Sequence, residues 1–152
     1  MRKTLFIILD FLIFSIVTLA QILKPIKWRF SAPVKSKAGM YKVSMTVVIE
    51  KGWHIYSQNV SDGGPLTTKI NFAKNDLVLL GGKVKEVGEI HKVHEEAFGV
   101  DVHYYKDKVD FVQVVKLKMP VQTVLSGTVE FMACNAEQCL PPEEVEFNIQ
   151  LK

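Results

Sequence analysis

Both cysteines of this 152-residue chain fall within six residues, in CNAEQCLPP, as Cys134 and Cys139. Two thiols at this spacing are open to three uses: a structural disulfide, part of a metal site, or a dithiol that cycles between oxidised and reduced states. They bracket a compact turn and can bond if their Cα atoms come within about 7 Å. Closing so short a loop restrains the unfolded chain by only about 2 kcal/mol in the chain-entropy model. A fold in need of a staple would gain more by joining distant strands. Zinc takes four protein ligands in structural sites and three in catalytic ones. His54, His91, His94 and His103 are available to complete such a set, but none stands at a metalloprotease spacing. A working dithiol requires neither metal nor cofactor. Here it would lack the helix start that activates a C-x-x-C pair, and Glu137, Glu143 and Glu144 follow closely, disfavouring a thiolate. Such a pair would react slowly until a docked partner supplied the activated sulfur. Spacing alone ranks the dithiol first and leaves the staple and the metal site open.

The compartment bears on that choice. MRKTLFIILDFLIFSIVTLAQ begins with two basic residues, runs apolar from Leu5 to Leu19 with Asp10 as its single charge, and ends in small Ala20. That is the layout of a secretory signal, with processing expected after Ala20. The apolar run is short for a full span of about 20 residues, and a retained N-terminal anchor is the alternative. Either outcome puts residues 21–152 outside the cytoplasm, where a disulfide persists. Membrane contact is expected only if the first segment is retained.

Residues 21–152 amount to one domain by length and are enough for an ordinary core. A formal charge of +3, with acids and bases mixed, argues against a nucleic-acid partner. Two cysteines are too few for a disulfide-rich scaffold.

The elements that must carry the pair read as strands. Tyr41, Val43, Met45, Val47 and Ile49 alternate with Lys42, Ser44, Thr46 and Val48, the period of a half-buried strand. Further strands are predicted over 67–72, 84–87, 109–117, 121–132 and 145–151. Turns are predicted at 61–65, 74–76, 81–82, 105–108 and 119–120, where Gly, Pro, Asn and Asp or charged residues cluster. No window of 11 or more residues past the first segment shows a helical apolar period. The expectation is an all-β chain, a mostly antiparallel immunoglobulin-like β-sandwich, with a closed barrel as runner-up. Cys134 is expected at the end of the strand that contains TVEFMA. Pro141 and Pro142 cannot donate to a ladder, so they protect a sheet edge and stiffen the chain after Cys139.

Three stretches together resemble a known family. GTVEFMACNAEQCLPPEEVEF at 127–147, KGWHIYSQN at 51–59 and VHEEAFGVDVHYYKDKVDF at 93–111 are similar to the N-terminal extracytoplasmic domain of the thiol:disulfide interchange protein DsbD and to the related disulfide bond corrector proteins. The resemblance implies an immunoglobulin-like fold and a reversible disulfide between Cys134 and Cys139. It implies that electrons pass from a membrane thiol conductor to thioredoxin-fold proteins, both expected here on separate chains. By the same resemblance Cys139 makes the mixed disulfide with partners and Cys134 resolves it. Phe98, preceded by Glu95 and Glu96, matches the tip of a cap loop over the sulfurs, while His54 and Tyr56 fall where two aromatic residues line the site. Two departures stand out: four residues separate the cysteines where the DsbD domain has five, and His54 replaces an aromatic residue.

The same side chains also have plainer roles. Trp53 and Ile55 read as core residues at a strand start. Tyr56 can pack on sulfur while its hydroxyl finds a polar partner. His54 is expected either on a solvent face or beside the thiols, titrating near neutrality. Phe98 can simply pin its loop, with Gly99 as a turn residue or hinge. The leading function is an extracytoplasmic thiol–disulfide exchange module of the protein-disulfide reductase type, without metal or cofactor. The competing class is a non-catalytic sandwich that binds another protein and carries an inert disulfide.

Overall fold

The computed structural model describes residues 23–36 and 39–152, so the signal or anchor expected at 1–20 lies outside the described residues. The described residues form ten strands: β1 (Ile26–Phe30), β2 (Val34–Lys35), β3 (Met40–Ile49), β4 (His54–Tyr56), β5 (Lys69–Phe72), β6 (Val78–Glu95), β7 (Val100–Leu117), β8 (Thr123–Phe131), β9 (Ala133–Cys134) and β10 (Glu143–Leu151). There is no helix among the described residues. All named pairings are antiparallel and fall into two sheets. In the larger sheet β7 is the spine. β6 runs along one side of it, while β3 and then β4 lie end to end along the other, flanked by β1 and β9 respectively. The smaller sheet has the order β10-β8-β5. The fold is an immunoglobulin-like β-sandwich.

Period two decides what fills the space between the sheets. The alternating residues of β3, Tyr41 to Ile49, are all buried, and Phe111 and Val115 of β7 face Leu125, Val129 and Phe131 of β8 and Phe147, Ile149 and Leu151 of β10 in one continuous core. Gly127 permits the closest approach. A Cβ there would run into the Asn71 carbonyl and come within 2.6 Å of the Phe147 ring, so glycine at this point lets β5, β8 and β10 pack.

Several sequence expectations change in physical detail. The turn predicted at 105–108 is absent: β7 runs straight through it, and three residues, 106–108, bulge opposite Glu89 between the pairs Gly88↔Val109 and Ile90↔Tyr105. Asp107 sits there at φ 57°, a left-handed conformation that Asp tolerates. Likewise Gly82, at φ 75°, belongs to a bulge on β6 and not to a chain reversal. The strands predicted at 84–87 and 109–117 are therefore parts of one 18-residue hairpin pair. β1, IKWRF, alternates fully between half-buried apolar and exposed basic residues and is not among the predicted strands, whereas β2, β4 and β9, at two or three residues, are too short to show a pattern. Cys134 also departs from expectation. β8 ends at Phe131, the chain crosses between sheets at Met132, and Cys134 lies on β9 in the larger sheet.

Candidate functional site

Cys134 and Cys139 are joined in a disulfide with their Cα atoms 4.0 Å apart. Local backbone bonding produces that approach. The Asn135 N–H donates to the Gln138 carbonyl at 2.8 Å and the Leu140 N–H to the Ala133 carbonyl at 2.8 Å, which places the cysteines opposite one another in a tiny antiparallel hairpin. The Asn135 side-chain oxygen accepts the N–H groups of Glu137 and Gln138, both at 2.8 Å, and so shapes the reversal. Exposed Pro141 and Pro142 then carry the chain to β10. The two sulfur-bearing residues differ sharply in environment: Cys134 is 1% exposed, whereas Cys139 is open to solvent.

Cys134 packs with Tyr56 and Val102 in a small second core on the outer face of the larger sheet, edged by Val60, Val100, Tyr104 and Met132. His54 is its direct partner across β4 and β9. The His54 ring stands edge-on to Tyr56 at 5.2 Å between centroids and lies 4.7 Å from Tyr104, which also stacks on His91 at 5.4 Å. Burial, assisted by the nearby Lys106 charge, lowers the His54 pKa to about 4. The ring is thus neutral at physiological pH and does not titrate near neutrality. The Tyr56 hydroxyl is pushed up to about 12, first by burial and then by Glu95 and Tyr104, so it stays protonated.

A hydrogen-bonded carboxylate holds the neighbouring loop. One oxygen of Glu86 on β6 accepts from the Ser57 hydroxyl at 2.7 Å and the Tyr105 hydroxyl at 2.8 Å; the other accepts from the Gln58 N–H at 2.7 Å and its side-chain amide at 3.3 Å. Burial and the Glu86 carboxylate raise the Tyr105 pKa well above the ordinary phenol value. Sequence reading missed Glu86, Ser57, Tyr104 and Tyr105. The turn predicted at 105–108 concealed Tyr105 and the strand that carries Tyr104, and nothing in the local sequence marks Glu86 as a partner of Ser57.

The structure brings His54, Tyr56 and Cys134 onto one face. Glu95 ends β6, pairs with Val100 and lies close enough to Tyr56 to influence its hydroxyl. Glu96 and Phe98 belong to the four-residue turn beyond, which closes when the N–H groups of Phe98 and Gly99 donate to the Glu95 carbonyl at 3.0 and 2.8 Å. Gly99, at φ 66°, supplies the left-handed residue of this hairpin. Phe98 is 41% exposed at the tip. Among the described residues no three His, Cys, Asp or Glu side chains gather as a metal site. A cavity of about 620 Å³ between the 30–35 segment and β10 contains neither cysteine nor any residue packed on Cys134.

A family model for the N-terminal region of the thiol:disulfide interchange protein DsbD matches residues 20–151. The chain belongs to this family. Among solved structures, this DsbD N-terminal-type domain is similar to the reduced DsbD N-terminal domain of Neisseria meningitidis, with a TM-score of 0.56 at 17% identity over 84% of this chain and 89% of that one. It is also similar to the N-terminal periplasmic domain of ScsB from Proteus mirabilis, with a TM-score of 0.56 at 17% identity over 85% of this chain and 47% of that one. A third structure, the complex between the DsbD and PilB N-terminal domains of Neisseria meningitidis, aligns with a TM-score of 0.53 at 17% identity, over 84% of this chain and 87% of the matched one. At such identity these structures speak for a shared fold. No curated protein matches the chain significantly. Family membership gives this DsbD-type domain a general role in thiol–disulfide exchange.

Proposed function

We propose that the domain relays reducing equivalents from a membrane or soluble thiol donor to thioredoxin-fold acceptors through a reversible Cys134–Cys139 disulfide, with residues 1–20 as its export signal. The observation that carries this reading is the asymmetry of the pair: exposed Cys139 is bonded to buried Cys134. A donor thiolate attacks the Cys139 sulfur, the Cys134–Cys139 bond breaks, and Cys134 leaves as a thiolate that takes up a proton. The donor's second thiol, as a thiolate, then attacks the donor sulfur of the mixed disulfide; an internal donor disulfide forms, the bond to Cys139 breaks, and Cys139 leaves as a thiolate that takes up the second proton. Two electrons and two protons have entered the domain. In the second half Cys139 attacks an acceptor disulfide, expelling one acceptor sulfur. Cys134 then attacks Cys139, restores the disulfide and releases the acceptor as a dithiol.

Tyr56 and His54 line the inner side of the pair in this scheme, and the hairpin bearing Glu95, Glu96 and Phe98 swings over the exposed sulfur between encounters and aside for a partner. The crystallised pairing of a DsbD N-terminal domain with a PilB N-terminal domain supports a protein partner on a separate chain. The test is trapping. Cys134→Ser should retain a mixed disulfide through Cys139 with a thioredoxin-fold protein that lacks its own resolving cysteine, and Cys139→Ser should retain little, as non-reducing gels and peptide mapping would show. Equal trapping by both variants refutes the assignment of the two sulfurs. No adduct with any such partner would point to a binding module with an inert disulfide.

A further inference from the structure

Direct partners across an antiparallel pair have Cβ atoms about 5 Å apart on the same face. His54 and Cys134 are such partners. Tyr56, two residues after His54 and therefore on the same face, packs on Cys134. The imidazole is confined between the rings of Tyr56 and Tyr104. Its Nε2 is buried, and no described residue bonds it. A buried polar atom left in this condition is costly, and native structures usually give it a partner.

The charged groups nearby keep the ring an acceptor. Lys106 opposes a second positive charge, burial does the same, and a neutral imidazole keeps one N–H and one lone pair. A neutral ring with its proton on Nδ1 presents a bare lone pair at the buried Nε2. The oxidised Cys134 sulfur has no proton to offer. Reduction gives it one and also frees rotation about its Cα–Cβ bond, which the link to Cys139 had restricted. The new thiol is itself buried and in need of an acceptor.

We propose that His54 is a positioning residue whose Nε2 accepts a hydrogen bond from the Cys134 thiol formed on reduction, stabilising the dithiol relative to the disulfide. This deepens the exchange reading and rests on it. The half-reaction takes up two electrons and two protons, one proton on each sulfur, and His54 holds the one on Cys134. Two effects follow: the disulfide becomes a stronger electron acceptor, and the Cys134 sulfur is drawn inward, leaving Cys139 unencumbered for the partner.

The test compares the purified protein with His54→Phe, which keeps a ring and removes the acceptor, and with His54→Gln, which keeps an acceptor. Each is equilibrated over a range of glutathione to glutathione disulfide ratios, quenched by alkylation and read by intact mass. The reaction is protein disulfide plus two glutathione thiols giving protein dithiol plus glutathione disulfide. His54→Phe should lower its equilibrium constant about tenfold, equivalent to about 30 mV for a two-electron couple, and His54→Gln should stay near the parent. In the unsubstituted protein labelled with ¹⁵N-histidine, the Nε2 resonance of His54 should move on reduction as a lone pair gains a donor, with the proton on Nδ1 in both states. A change below threefold in His54→Phe, an equal loss in His54→Gln, or an unmoved Nε2 resonance overturns the inference. The labelling experiment decides the matter even if a variant fails to fold. A disulfide that glutathione cannot reduce at any ratio would instead overturn the exchange reading itself.

Discussion

Replacing Glu86 by Ala removes the acceptor for four hydrogen bonds from three residues, and the structure sets the size of the loss. Ser57 is 0% exposed and Tyr105 is 3% exposed, so both hydroxyls are stranded without ready access to water. The Gln58 N–H loses its partner as well. Single hydrogen bonds to a charged group contribute about 1.5–3 kcal/mol each. These four share one side chain, and a relaxed loop would admit water to Gln58, so the sum overstates the effect. A loss of about 3 kcal/mol is expected, which lowers Tm by roughly 10 °C in a domain of this size. Glu86→Gln retains one accepting oxygen and should lose about half as much. Urea denaturation of the oxidised protein measures both. A double-mutant cycle with Tyr105→Phe should show coupling of about 1 kcal/mol, because the two groups share a bond. The loss also has a local consequence. The loop that Glu86 tethers continues to Val60, which packs beside Cys134, so reduction by dithiothreitol should quicken in Glu86→Ala. A loss below about 0.5 kcal/mol, or strict additivity with Tyr105→Phe, would refute the clamp.

Two further outcomes are expected. Phe98→Ala should cost less than about 1 kcal/mol, since the ring is half-exposed at a hairpin tip, yet speed dithiothreitol reduction if the ring shields the sulfurs; unchanged stopped-flow rates would remove Phe98 from the site. For pH, the folded His54 pKa of about 4 lies below the ordinary 6.5, so the unfolded chain binds more protons between those values. The contribution of His54 to stability is complete above pH 6.5 and disappears as pH falls through 4; it amounts to about 1–2 kcal/mol once the partial exposure of the ring is discounted. His54→Phe should flatten that part of the stability profile, and an unaltered slope in denaturation at pH 7 and pH 4.5 would count against the burial argument.

Much of the molecule could be read from contiguous residues. The alternation from Tyr41 to Ile49 defined β3 and its buried face, because side chains in a strand must leave opposite sides of the backbone. The cysteine loop, the prolines after it and the family resemblance were equally local. The bulges were not. Gly82 and Asp107 announce a left-handed residue, and a turn and a bulge need the same local conformation. Only the strand alongside determines whether pairing resumes, as it does at Lys85↔Val112 and Ile90↔Tyr105. The crossing at Met132 has the same character, since TVEFMAC alternates acceptably as one strand and divides only because the two halves bond to different sheets. The contacts that surround Cys134, with His54 opposite and Tyr56 beside it, depend on β4 pairing with both β7 and β9. The Glu86 clamp depends in turn on β4 and β6 both pairing with β7, which joins residues far apart in the chain. Backbone preference and side-chain alternation are properties of neighbours along the chain. Which ladder continues, and which groups become buried across it, is determined only when two sheets close on a common core.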